Sequence, residues 1–145
     1  MIAVDTNILV YAHRADSPWH MRSADLLRSL AEGTAPWAIP WQCIHEFLAV
    51  VTNGRIYRTP TPIAEAVRQV EYWLESPTLT VLGERGTHWP TLKGLLEAAL
   101  VHGALVHDAR VAALCLQHGA TTLWTADRDF SRFRELRAIN PLVTN

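Results

Sequence analysis

Short apolar runs alternate with longer stretches of helical periodicity along the whole chain, and this alternation limits the fold more than any other feature. "IAVD" at 2–5, "WAIP" at 37–40, "TLTVL" at 78–82 and "TTLWT" at 121–125 read as buried strands, with "RAIN" at 137–140 a last short one. The helices between them carry their own punctuation. "SPWHMRSADLLRSLAEG" has Ser17 at the N-cap, Pro18 at the first position and Gly33 as the stop. "WQCIHEFLAVVTNG" places Ile44, Phe47, Leu48 and Val51 on one face and ends at Asn53-Gly54. "RIYRTPTP" is a loop, after which Thr61-Pro62 caps "IAEAVRQVEYWLES". "THWPTLKGLLEAALVHG" and "HDARVAALCLQHG" each run to a glycine, and "ADRDFSRF" is a loop with one turn of helix. Such alternation points to an α/β fold in three layers, a mostly parallel sheet of four to five short strands between two helical faces. No repeat or linker divides the chain, so residues 1–145 are expected to form one domain.

The composition suits a folded globular protein: 49% of residues are hydrophobic and 19% charged, with a net charge of −1. Cys43 and Cys115 lie in apolar helical stretches, which argues against a disulfide framework and for a reducing cytoplasm. The N-terminus lacks a basic segment, and Asp5 interrupts its apolar run too early for a signal peptide. No apolar stretch approaches the ~20 residues needed to span a bilayer.

In parallel α/β sheets, sites form at the carboxyl ends of the strands. Asp5 ends the first strand, and Asp127 follows "TTLWT", with Asp129 two residues on. Asp108 opens the helix "HDARVAAL", and Glu46 sits mid-helix in "CIHEFLAV". The chain has six aspartates, and four fall at these junctions, leaving Asp16 and Asp25 for surface duty. Clustered carboxylates repel one another, and burial adds to the cost, so a fold that keeps them has a cation to neutralise them. Oxygen ligands without thiolate suit Mg²⁺ or Mn²⁺. Each acid also has a plainer reading: Asp5 as a helix N-cap, Asp108 as a favourable charge at a helix start, Asp127 and Asp129 as turn residues, and Glu46 as a solvated helix residue. Only their conjunction argues for a site.

Four motifs in this order resemble the PIN-domain ribonucleases of the VapC toxin type. "VDTNILVYA" at 4–12 is similar to the family's N-terminal signature, and "IPWQCIHEFLAVV" at 39–51 to its central helix with a glutamate. "HDARVAAL" at 107–114 and "TLWTADRDF" at 122–130 are similar to its third and fourth motifs. The resemblance implies a PIN fold, a Mg²⁺- or Mn²⁺-dependent endoribonuclease, and catalytic residues Asp5, Glu46, Asp108 and Asp127. Of these, Asp5, Asp108 and Asp127 would hold the metal. Thr125 matches a family hydroxyl that would orient a neighbouring carboxylate. Asn7 matches a polar position near the pocket. The resemblance further implies a bacterial toxin–antitoxin role, a homodimer and a cognate antitoxin that blocks the site. One departure stands out: many relatives carry Ser or Thr shortly before the glutamate, whereas this chain has "WQCIHE", leaving any polar help to Gln42 or His45.

Removing the four acids from the tally changes the net charge from −1 to +3 (−1 + 4), a mildly cationic body around an acidic pit. Arg14, Arg55, Arg58, Arg110, Arg128 and Arg132 are candidates to hold RNA phosphates, with Arg14 and Arg128 closest to the motifs. Tyr11, His13 and Trp41 could stack on unpaired bases, although core packing is the expected fate of Trp41. His107, beside Asp108, is expected to make a helix-start hydrogen bond. Two rival readings stay open on the residues alone. A haloacid-dehalogenase-like phosphatase also places an aspartate after its first strand, but it wants a second acid where this chain has Asn7. A non-catalytic RNA- or protein-binding module would have no use for clustered acids.

Overall fold

The computed structural model describes residues 1–144. Five strands form one sheet: β1 (Ile2–Val4), β2 (Trp37–Pro40), β3 (Leu79–Leu82), β4 (Thr122–Trp124) and β5 (Arg137–Ile139). Six helices connect them: α1 (Thr6–His13), α2 (His20–Glu32), α3 (Trp41–Val51), α4 (Ile63–Leu74), α5 (His88–Ala98) and α6 (Leu105–Gln117). The spatial order is β3-β2-β1-β4-β5, and every pairing is parallel. All four residues of β2 are buried, as a strand covered by helices on both faces requires. The expected three-layer α/β fold is the one observed.

The strand order has a consequence for function. The chain lays down β1, β2 and β3 in one direction, then crosses back to place β4 on the other side of β1. The direction of winding reverses between β1 and β4, and a crevice opens at their carboxyl ends. Ala3 pairs with Leu123 and Val4 with Trp124, and the Asp5 N–H continues the ladder to the Trp124 carbonyl at 3.0 Å. This register carries Asp5 and the residues after Trp124 to the same edge.

Several boundaries differ from the sequence reading. The stretch after Asp5 is α1, a helix without an amphipathic signature because Ile8, Leu9 and Val10 are all buried. Ser17 does not cap α2; its hydroxyl accepts from the Trp19 N–H in a separate turn, and the helix starts at His20. Thr61 does not cap α4 with its side chain, because its hydroxyl accepts from Arg14 and pairs with the His13 ring instead. Asp108 lies within the first turn of α6 rather than at its start, because the helix begins at Leu105.

Helix α5 stops at Ala98, short of Gly103, for a reason visible in its last turn. The Val101 N–H donates to the Leu96 carbonyl and the Leu100 N–H to the Glu97 carbonyl, a Schellman ending with Leu100 in the left-handed position (φ 51°). Helix α6 ends the same way with the usual residue. The Ala120 N–H reaches the Cys115 carbonyl around Gly119, at φ 72°.

Candidate active site

Asp5 is the deepest of the acids. Its Oδ1 accepts from the Thr6 N–H at 2.8 Å, closing α1 as an N-cap, and from the Cys43 thiol at 3.6 Å. Its Oδ2 accepts from the Thr125 hydroxyl at 2.7 Å and from the Asn7 amide at 3.0 Å. A carboxylate offers about four lone-pair sites, and all four are taken. Burial pushes the Asp5 carboxyl above its ordinary range, while the Thr125 and Thr6 donors pull it back and nearby Glu46 raises it further. The plain reading of Asp5 as a cap and its reading as a site residue therefore both describe the same side chain.

Asn7 and Thr125 are the splice between the two central strands. Asn7 donates to Thr125 Oγ1 at 3.2 Å and accepts the Ala126 N–H at 3.0 Å, and Thr125 Oγ1 also accepts the Asp127 N–H at 3.0 Å. Asn7 thus stands as a hydrogen-bonding bridge in the place where phosphatase chemistry wants an acid.

Glu46 comes from α3 and is held on both oxygens. Thr6 Oγ1 donates to Oε2 at 2.8 Å, and Gln42 Nε2 donates to Oε1 at 2.9 Å. Gln42 also donates to the His107 carbonyl at 3.1 Å, tying α3 to the first turn of α6 beside Asp108. Two acceptors fix the orientation of this amide, which leaves its buried Oε1 without a partner. Gln42, not His45, supplies the polar help that the departure before Glu46 left open, and the His107 backbone, not its imidazole, makes the contact.

Asp5, Glu46, Asp108 and Asp127 line one open cleft of about 320 Å³, together with Asn7 and Tyr11. Carboxylate oxygens of Asp108, Asp127 and Asp129 lie within 4.8 Å of one another. Asp129 is also the turn residue it was expected to be, its N–H donating to Asp127 Oδ1 at 2.8 Å. The Asp108 carboxyl is pushed up to about 6, first by burial and then by the charges of Asp127, Asp5, Asp129 and Glu46. Packed oxygen donors with an excess of negative charge fit a hard divalent cation. A ligand role for Asp5 has to displace one of its four donors, whereas the Asp108–Asp127–Asp129 group is already gathered.

Sequence-based expectation and structure part company at the arginines. Arg14 is withdrawn from solvent, with 12% of its side chain exposed. It donates to both oxygens of Asp16, to the Thr59 carbonyl and to Thr61 Oγ1, and lies 3.9 Å from the centre of the Tyr57 ring. Those contacts use four of its five donors, so Arg14 staples the 53–62 loop to the end of α1 and is not a free phosphate clamp. Arg110 is paired with Glu84, and Arg132 reaches Asp129. Arg55, Arg58 and Arg128 make no ion pair among the described residues. His13 is spent on Gln69 and Thr61, and Trp41, expected in the core, is 42% exposed.

The PIN-domain family matches residues 2–136. The chain belongs to this family. This PIN domain is 39% identical over 142 residues to ribonuclease VapC43 of Mycobacterium tuberculosis, covering 98% of this chain and 96% of that one. Its fold is similar to the crystal structure of VapC20 of Mycobacterium tuberculosis, a sarcin–ricin loop cleaving toxin, with a TM-score of 0.66, 20% identity and coverage of 94% and 99%. It is also similar to VapBC2 of Rickettsia felis bound to a promoter DNA fragment, with a TM-score of 0.65, 22% identity and coverage of 96% and 98%. The resemblance read from the four motifs is borne out, and the relatives carry the ribonuclease name. No helix of the described residues is long and apolar enough to cross a membrane.

Proposed function

We propose that this PIN domain is a metal-dependent endoribonuclease and the toxin of a type II toxin–antitoxin pair, working in the cytoplasm as a single domain. The observation that carries the reading is the convergence of Asp5, Glu46, Asp108 and Asp127 on one cleft at the β1/β4 crevice. Asp5, Asp108 and Asp127 would hold Mg²⁺ or Mn²⁺, with Asp129 within reach of the last two. A divalent ion bound there supplies charge neutralisation at a phosphodiester and lowers the pKa of water.

The chain's own groups do the remaining work. Glu46 is clamped from both ends by Thr6 and Gln42, and accepts a proton from water in the cleft. Thr125 and Asn7 hold the Asp5 carboxylate in one orientation. Arg128, beside Asp127, offers an unpaired guanidinium to a flanking phosphate. An acidic cleft repels the backbone on both sides of the cut, so a flexible unpaired strand is the substrate that can present one phosphate to it.

The family and the VapC and VapBC relatives support an antitoxin partner. Exposed Ile63, Val67, Tyr72 and Leu74 on α4, and Trp89 on α5, leave apolar surface for an antitoxin segment and a second copy of the chain. The test of activity is an RNA with a structured loop beside its fully paired version, with Mg²⁺ or Mn²⁺ and with EDTA. Cutting in the loop that EDTA abolishes and Asp5→Asn removes is the expected result. No cleavage with either ion overturns the reading. Light scattering at micromolar concentration tests the dimer, and co-purification with the product of an adjacent short reading frame tests the antitoxin.

A further inference from the structure

A second recess adjoins the acidic cleft at Asp127. It has a volume of about 420 Å³, opens where β4 and β5 end and shares Asp127 with the acidic cleft; Thr125, whose hydroxyl holds Asp5, also lines it. Its character is different. Ala126, Ala138 and Val143 give it an apolar lining, and Arg128, Ser131 and Asn140 supply its polar groups. Asn140 Oδ1 already accepts the Leu142 N–H at 3.0 Å, which orients the amide and leaves Nδ2 as its donor. No acid other than Asp127 lines it.

We infer that this recess receives the nucleobase next to the scissile phosphate, and that Asn140 and Ser131 read it. The inference rests on the ribonuclease reading. Carboxylates and a metal recognise a phosphodiester but carry no base information, so selection requires a neighbouring surface. The recess meets the needs of an unpaired base: apolar walls for the ring, hydrogen-bonding groups for its edge, and continuity with the acids at Asp127. Arg128, next to Asp127 in the chain, lines the recess and offers its guanidinium to the phosphate that joins the two. Because the oriented Asn140 amide presents a donor, a base with a carbonyl on its edge is favoured. Guanine, uracil and cytosine each carry such a carbonyl and adenine carries none, so adenine is disfavoured at this position.

Two measurements test the inference and keep it apart from the nuclease reading. The first titrates metal-free wild-type protein in EDTA with each nucleoside monophosphate, following backbone and side-chain amides by NMR. The expected result is a shift confined to residues 125–131 and 138–143, several-fold tighter for GMP, UMP and CMP than for AMP, and lost in Asn140→Ala. Shifts elsewhere, none at all, or equal affinity for all four overturn the inference. The second maps cleavage of a random-sequence single-stranded RNA pool with Mn²⁺. Wild type should disfavour A on one side of the cut, and Asn140→Ala and Ser131→Ala should flatten that preference at least three-fold. A preference unchanged in both variants overturns the base-reading assignment while the nuclease reading stands. A wild type that shifts with GMP yet cuts nothing overturns the nuclease reading, and with it the link to a scissile phosphate, leaving only a nucleotide site in the recess.

Discussion

The hydroxyl of Thr125 donates to Asp5 Oδ2 at 2.7 Å, joining residues 120 positions apart in the sequence. Both sit one step past a strand end, Asp5 after β1 and Thr125 after β4, and the parallel register of those strands brings them together. Among its neighbours Thr125 gives Asp5 the largest compensation for burial. The bond therefore keeps a desolvated carboxylate closer to its charged form, the form in which it can take a cation.

Removing that donor should show first in metal binding. Thr125→Val keeps the shape and deletes the hydroxyl, so the Asp5 carboxyl rises further and the Asn7 and Asp127 N–H groups lose an acceptor. Mn²⁺ affinity measured by calorimetry should fall about 10- to 100-fold, the usual cost of losing a partner that orients a metal ligand. Thr125→Ser should restore most of it. Equal affinity in wild type and Thr125→Val would show that Asp5 needs no such support.

The acids themselves predict a pH dependence. The Asp108 carboxyl titrates near 6 in the folded chain and at 3.8 when free, so between those values the folded state binds more protons. Stability of the metal-free protein should therefore decline as pH rises from about 4 to 6. The raised Asp5 acts in the same sense. A shift of this size corresponds to roughly 3 kcal/mol for a buried group, and partial exposure of Asp108 reduces it to about 1–2 kcal/mol. Mn²⁺ affinity should move the opposite way, weakening below about pH 6 as the ligands protonate. Denaturant melts at pH 4.5 and 7 check the first point, and Asp108→Asn should shrink the difference, leaving the share that Asp5 contributes.

How much of this was readable depended on whether a rule linked position to chemistry. Asp5 and Asp127 were legible because parallel sheets put sites at carboxyl ends. Helix α1 was not, because three consecutive buried aliphatics erase the 3.6-residue period on which a helix reading depends. The Thr6 and Gln42 grips on Glu46 escaped as well, although Gln42 stands four residues before Glu46, a spacing at which helical side chains meet. The Arg14 staple was hidden because Asp16, Tyr57, Thr59 and Thr61 come together only once the 53–62 loop folds back onto α1. The end of α5 misled because a leucine fills the place where glycine normally marks the stop.

Gln42 yields a prediction that separates position from stability. Gln42→Leu deletes the donor to Glu46 but also the buried Oε1 that has no partner. The two effects on folding oppose each other, and stability should change by less than about 1 kcal/mol. Cleavage should drop about ten-fold or more, because Glu46 loses one of its two anchors. A Gln42→Leu variant with wild-type turnover would remove Gln42 from the machinery.

Leu100 marks a place where the fold can be improved. It is 82% exposed and holds a left-handed backbone at the end of α5. A left-handed residue with a Cβ costs roughly 1–2 kcal/mol, against which glycine loses more entropy on folding. Leu100→Gly should raise stability by about 0.5–1 kcal/mol, read as a higher denaturation midpoint at unchanged slope.

The last prediction sets Arg14 against Arg128, two arginines that flank motifs and look alike in sequence. Arg14 spends its guanidinium on Asp16, Thr59, Thr61 and the Tyr57 ring, whereas Arg128 is exposed and lines the recess beside Asp127. Arg14→Ala should therefore cost folding stability, about 1–2 kcal/mol for a partly buried set of charge-assisted hydrogen bonds, and loosen the 53–62 loop. Its effect on the salt dependence of RNA binding should be negligible. Arg128→Ala should do the reverse, leaving the melt nearly unchanged and reducing the slope of log affinity against log salt by about one. Binding of an uncleaved RNA at four salt concentrations in EDTA, beside denaturant melts of both variants, gives all the needed values. A reduced slope in Arg14→Ala with an intact melt would mean that its contacts open to admit a phosphate.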